Sequence, residues 1–104
     1  ELERTKGGRR KQVLRQYISE IEGLKGDNLH HVGDCYKHLG MVDDAISNYK
    51  SALAVYKPYA MNGWPNPYID DSYNSYIELL KQTGQTAEAT RVEQERELVK
   101  SRRQ

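Results

Sequence analysis

Residues 29–58 read LHHVGDCYKHLGMVDDAISNYKSALAVYKP and decide the fold of this 104-residue chain. Apolar and small residues recur in both halves at intervals of three and four, which is the spacing of one helix face. Gly40 separates the halves, where a residue without a Cβ readily ends a helix. The pattern predicts a helix over residues 27–39 and, after the turn, a second helix capped by Asp43 or Asp44.

The positions in this stretch resemble one tetratricopeptide repeat (TPR), a helix–turn–helix unit of about 34 residues. A generic helical hairpin is the alternative that the same spacing allows. The resemblance implies an all-α fold of antiparallel helical hairpins stacked as a short TPR α-solenoid, with about five helices. The positions that carry the resemblance are Leu29, Val32, Gly33, Tyr36, Gly40, Ala45, Tyr49, Ala52 and Pro58. At the first of these positions the family usually has Trp, where this chain has Leu29.

A weaker unit is predicted over residues 70–104, because Gly84 and Ala89 repeat the spacing of Gly40 and Ala45. The match fades after Ala89 into polar residues, which is typical of a C-terminal capping helix. This second unit is therefore expected to be a degenerate TPR unit that closes the array.

The extra length between the two units lies in residues 60–69, where Pro, Asn, Gly and aromatic residues predict a structured connecting loop. We expect Trp64 to pack this loop onto the hairpin. Pro67 and Asn74 resemble positions in the longer repeats of kinesin light chains.

The chain before the first unit, which spans 26–59, divides into a disordered lead-in at 1–8 and an N-terminal helix at 9–25. Two interpretations of this helix remain open. It is either the degenerate second helix of an upstream repeat or a helix that covers the first unit. Its apolar face consists of Val13, Leu14, Tyr17, Ile18, Ile21 and Leu24.

The first helix of the hairpin carries a cluster of polar residues. His30, Asp34 and His38 recur at every fourth position and stack on one face, beside a second such pair, His31 and Cys35. These residue types bind zinc and similar ions. Because the sequence has no HExxH motif and no distant ligand cluster, we predict no metal site.

The family resemblance implies instead that this face lines the concave groove of a TPR array and contacts a peptide. A plain solvated face is the alternative. Asp34 stands where TPR clamps for chaperone carboxylates carry Asn, so an acidic groove favours a partner segment with basic residues. The predicted groove residues are Asp27, His30, His31, Asp34, Lys37, His38, Asp71, Asn74, Glu78, Lys81 and Gln82.

Composition argues against several other function classes. The chain has no glycine-rich phosphate loop and no GxSxG motif, so we predict no enzyme and no cofactor. Its ends are basic, but no aromatic-interleaved basic platform supports nucleic-acid binding. Because no stretch matches a membrane span or signal peptide, and the single Cys35 forms no internal disulfide, we expect a cytoplasmic protein.

The sequence therefore predicts a non-catalytic protein–protein interaction module that binds a peptide or protein segment in the concave TPR groove. Such a module is expected within a larger scaffold or adaptor. The alternative is an oligomerisation or assembly segment that docks through the N- or C-terminal helix and forms a homo-oligomer.

Overall fold

The computed structural model describes residues 2–103, with the side chains of residues 9–103. These residues form four α-helices and no strand: α1 Leu2–His38, α2 Val42–Ala60, α3 Pro67–Gln82 and α4 Thr86–Arg102. The all-α prediction is confirmed for this part of the chain. The expectation of about five helices is wrong, because the N-terminal helix and the first helix of the hairpin form one continuous helix.

α1 runs without a break through the boundary predicted between residues 25 and 26. Gly26 lies within the helix and packs against Tyr56 of α2. A Cβ on this residue would lie only 2.5 Å from Cε1 of Tyr56, so the close packing of the two helices needs a glycine here. Residues 2–8 also belong to α1, although a disordered lead-in is predicted there, since most of them are good helix formers. Residue 1 lies outside the described residues.

The turns between helices depend on glycine and on one asparagine. Gly40 and Gly84 have φ angles of 76° and 77°, in the left-handed region, as expected for helix C-termini. Asp43 and Asp44 do not cap α2, since the helix begins at Val42 and both carboxylates lie in its first turn. α3 starts earlier than predicted because Asn66 caps it, its side-chain oxygen accepting from the Tyr68 N–H at 2.8 Å.

α1 and α2 pack as an antiparallel pair through glycine and tyrosine. The Tyr49 ring lies against Gly33 and the Tyr56 ring against Gly26, so that the two contacts repeat one heptad apart on each helix. The tyrosine hydroxyls donate to the carboxylates that follow these glycines, Asp34 and Asp27 respectively. This repeated Gly–Asp arrangement fixes the register of the two helices.

The remaining core lies between successive helices, since α2 packs on α3 and α3 on α4. α3 contributes the most buried side chains, whereas α4 buries only Ala89, Val92 and Val99. Trp64 packs the connection after α2 against Gly23, as predicted. The fully apolar core residues include Ala45, Ala52, Leu53, Ala60, Ile69, Ile77, Leu79 and Leu80.

The body formed by α2, α3 and α4 packs on the second half of α1. From residue 9 onward, where side chains are described, Gly23 is the first buried residue of α1, and the side chains of residues 9–22 are exposed or half-buried. A 37-residue helix is about 55 Å long. Since the molecule measures 59 × 27 × 17 Å, its long axis is largely that of α1, and the first half of this helix projects beyond the body.

Candidate functional site

The polar cluster predicted on α1 contains a buried histidine. His30 is only 3% exposed, and its Nδ1 lies 2.8 Å from the Ser72 hydroxyl of α3. Its Nε2 lies 3.2 Å from Oδ2 of Asp34. Burial lowers the pKa of His30, although the nearby Asp34 carboxylate opposes this effect. The neutral ring therefore carries its proton on Nε2 when that nitrogen faces the carboxylate, and Nδ1 accepts from Ser72.

His31 lies beside this histidine on the surface. Its ring centroid is 5.4 Å from that of His30 and 4.8 Å from that of Tyr68 in α3, edge to face. The ligand atoms of His30, His31 and Asp34 all lie within 4.8 Å of one another. The structure thus brings two imidazoles and one carboxylate together at the junction of α1 and α3.

Several predicted groove residues are occupied by contacts within the chain. His30 was expected to line a groove, but its burial removes it from contact with a bound peptide. Asp34 accepts from Tyr49, and Asp27 accepts from Tyr56 and, at 3.1 Å, from the Asn66 amide. The two aspartates were predicted to be free groove acids, because the sequence does not reveal that buried tyrosine hydroxyls from α2 reach them.

The predicted groove residues of α3 face in two directions. Glu78 lies 3.7 Å from Lys37 of α1 and accepts from Gln82 at 3.2 Å. Asn74 and Lys81 instead face α4, where Asn74 accepts from Arg96 at 2.9 Å and Lys81 pairs with Glu93 at 3.0 Å. These two residues are therefore separated from the α1 cluster, while the exposed Asp71 and His38 stand on the surface of their helices.

Ser72 and Tyr68 belong to the polar cluster and were missed by sequence reasoning. They are one helical turn apart on α3, and Ser72 is completely buried among Ile69, Tyr73 and Tyr76. A small polar residue within an apolar helical stripe was the available signal, since a buried hydroxyl needs a hydrogen-bond partner. The sequence did not indicate that the partner would be His30, which lies 42 residues earlier.

A second candidate surface lies on the projecting half of α1. We define the outer stripe as Val13, Leu14, Tyr17, Ile18, Ile21 and Leu24, whose exposures range from 45% to 64%. At roughly 100° per residue, this stripe lies about 180° from the glycines that contact α2. The predicted apolar face is therefore present. The interpretation that it covers the first unit is wrong, because it faces away from α2 and the body.

Charges beside the outer stripe are unevenly distributed. Arg9, Arg10 and Lys11 make the N-terminal end of the stripe basic. Near its other end Glu20 is exposed beside the stripe, whereas Glu22 lies 3.8 Å from Lys25 and, like Arg15, belongs to the opposite side of the helix.

No helix of the described residues is both long enough and apolar enough to span a membrane. Comparisons of the chain with protein-family models, with curated proteins and with solved structures find no match.

Proposed function

We propose that this chain is a non-catalytic protein–protein interaction module, built of TPR-like hairpins, that assembles with a second copy through the outer stripe. The observation that carries this proposal is the exposure of six large apolar side chains in one continuous line. Soluble monomers rarely leave a contiguous apolar patch of this kind facing water, and such patches mark interaction surfaces.

The projecting half of α1 also favours a helical partner. An isolated helix of roughly 20 residues is marginally stable in water, and most helical stability comes from packing of an apolar face. The stripe repeats at intervals of three and four, as in helices that pair side by side. A second helix laid along it supplies the missing packing.

The arrangement of the stripe favours a second copy in antiparallel orientation, because the stripe matches itself when it is reversed. With the twofold axis near residue 19, Leu14 faces Leu24 of the other copy and Tyr17 faces Ile21. Arg15 and Glu22 take no part in this pairing, because both lie on the side of α1 that carries Gly33, opposite to the stripe. The two bodies do not collide, since each lies on the side of its own α1 that is opposite to the stripe.

One pair of charges opposes this register. Lys11 of one copy approaches Lys25 of the other, but both side chains are exposed and long enough to turn their ammonium groups to solvent. The apolar layers outweigh this repulsion.

Multi-angle light scattering during gel filtration of the wild-type chain and two variants tests the proposal. We expect the wild type at high concentration to approach twice the 12.0 kDa mass of the chain. Ile21→Glu places a charge in the centre of the interface and should return the protein to monomer. Gln16→Glu is the matched control, because it adds the same charge to the same helix away from the stripe. A wild type that stays monomeric, or an Ile21→Glu variant as dimeric as the control, would overturn the proposal.

A peptide-binding surface between α1 and α3 is a second candidate function. It is favoured by the contacts that join these two helices, His30 with Ser72 and Lys37 with Glu78, and by the exposed acid Asp71 beside them. We infer a partner segment that carries Lys or Arg.

Fluorescence anisotropy with a labelled oligolysine peptide measures this second function. Asp71→Lys should abolish the binding, whereas Glu97→Lys, an equal charge change on exposed α4, should retain more of it. Equal losses in the two variants would mean that only the net charge of the protein attracts the peptide.

A further inference from the structure

The junction of α1 and α3 contains three side chains that transition metals prefer as ligands. His30 and Asp34 lie one turn apart on α1, with Nε2 and Oδ2 separated by 3.2 Å. Two ligand atoms bound to one tetrahedral zinc ion at bond lengths near 2.0–2.1 Å are about 3.3 Å apart. The observed separation is therefore the one that a shared ion requires.

The two ligands are held in place by residues that a metal ion would not displace. Ser72 contacts the other ring nitrogen of His30 at 2.8 Å, and the Tyr49 hydroxyl donates to the other oxygen of Asp34. Hydrogen-bond partners of this kind orient the side chains that bind a metal ion directly, and they fix the tautomer of a histidine ligand. With a metal bound, the Ser72 hydroxyl oxygen accepts a hydrogen bond from Nδ1–H of His30, and Nε2 is free to bind the ion.

His31 supplies a third ligand. It is exposed, and its ligand nitrogen lies within 4.8 Å of those of His30 and Asp34, so a rotation of its side chain suffices to close the distance. Two imidazoles and one carboxylate leave a fourth position for water or for an atom of a bound partner.

We propose that His30, His31 and Asp34 bind a divalent transition-metal ion of the zinc class. Imidazole and carboxylate ligands suit Zn²⁺ and its neighbours, whereas Mg²⁺ and Ca²⁺ prefer sites made of oxygen atoms alone. The site stands apart from the outer stripe, so its presence does not depend on the assembly proposed above.

Titration of the full chain with ZnCl₂ in a calorimeter tests the site, and Co²⁺ absorption reports on its geometry. We expect one ion per chain. His31→Ala and Asp34→Asn should each weaken binding by at least about 10-fold, because each removes a ligand. His38→Ala is the matched control, since it removes an exposed histidine of the same helix that lies outside the cluster. Circular dichroism of each variant establishes that the fold is kept.

Two further variants separate this site from adventitious binding. Ser72→Ala removes the residue that positions His30 and should weaken zinc binding by about 10-fold or more. Cys35→Ser should leave binding unchanged, although the exposed thiol lies one turn from His31. Absence of zinc binding in the wild type, loss of binding in Cys35→Ser, or unchanged binding in both His31→Ala and Asp34→Asn would overturn the proposal.

Discussion

Two glycines of α1 determine how closely α1 and α2 approach. Each provides the space for a tyrosine ring of α2, and the following aspartate accepts from that tyrosine hydroxyl. The side chains of Tyr49 and Tyr56 are buried, whereas the two aspartates are half-buried. The arrangement therefore combines close packing with hydrogen-bonded polar groups. Glycine at these positions reflects a steric requirement between helices, since both residues have ordinary helical conformation.

Gly26→Ala should destabilise the protein, although alanine is the better helix former. A Cβ at Gly26 would lie 2.5 Å from Tyr56 Cε1, and relief of the overlap costs about 1–3 kcal/mol. The gain in helix propensity returns only about 1 kcal/mol. Chemical denaturation measures the net loss. The control is Asn28→Ala, an exposed position of the same helix, which should be neutral or slightly stabilising. A Gly26→Ala protein as stable as this control would show that Tyr56 moves aside freely.

The buried tyrosines make the protein sensitive to alkaline pH. Burial, with a hydrogen-bonded carboxylate as the second cause, raises the pKa of Tyr49, Tyr56 and Tyr73 well above the ordinary value for tyrosine, and burial also raises that of Tyr76. Because these pKa values are higher in the folded state, the associated stability is fully present below the unfolded value near 10. It is lost as the pH rises through the folded values, by up to about 1.4 kcal/mol per pH unit for each tyrosine.

Denaturation at pH 9 and pH 11, combined with the ultraviolet absorbance of tyrosinate, checks this expectation. Tyr49, Tyr56 and Tyr73 should ionise only as the protein unfolds. Equal stability at the two pH values, or ionisation of these three tyrosines in the folded protein at their ordinary pKa, would contradict it.

At the scale of helices, the sequence predicted what depends on neighbouring residues. Apolar spacing predicted α2 and the second half of α1, and Gly40 and Gly84 were correctly expected at turns. The sequence-based prediction failed where contacts between distant residues determine the structure. A helix boundary was predicted beside Gly26, because the sequence does not show that this glycine packs against Tyr56 of another helix. His30 was predicted to be exposed, because its partner Ser72 lies 42 residues later in the chain. The candidate cluster was therefore found in part, through His30, His31 and Asp34, without the residues that position it.

The start of α3 depends on Asn66, which joins three parts of the fold. Its side-chain oxygen caps the helix at the Tyr68 N–H, while its amide donates to Asp27 of α1 at 3.1 Å. Asn66→Ala should lower the free energy of unfolding by about 1–2 kcal/mol. Asn62→Ala serves as the control, because Asn62 is exposed and its amide donates only to the Pro58 carbonyl. Equal denaturation midpoints for the two variants would exclude a capping role for Asn66.

At the scale of the whole molecule, the chain is asymmetric. The body buries one side of the second half of α1, whereas the first half of α1 exposes an apolar stripe on the opposite side. A second copy that lies antiparallel on this stripe covers the apolar surface of both chains at once and leaves the α1–α3 junction uncovered. The central claim is therefore an isologous antiparallel helix pair in which Lys11 of one copy lies beside Lys25 of the other.

The most direct test of this claim is sedimentation equilibrium of Lys25→Glu and of the double variant Lys11→Glu/Lys25→Glu at low ionic strength. In the antiparallel register, Lys25→Glu places a carboxylate beside Lys11 of the other copy at both contacts, so this variant should dimerise about 10-fold more tightly than the wild type. The double variant restores like charges at both contacts and should dimerise no more tightly than the wild type. A Lys25→Glu variant that dimerises no more tightly than the wild type, or a double variant that dimerises as tightly as Lys25→Glu, would contradict the antiparallel pairing.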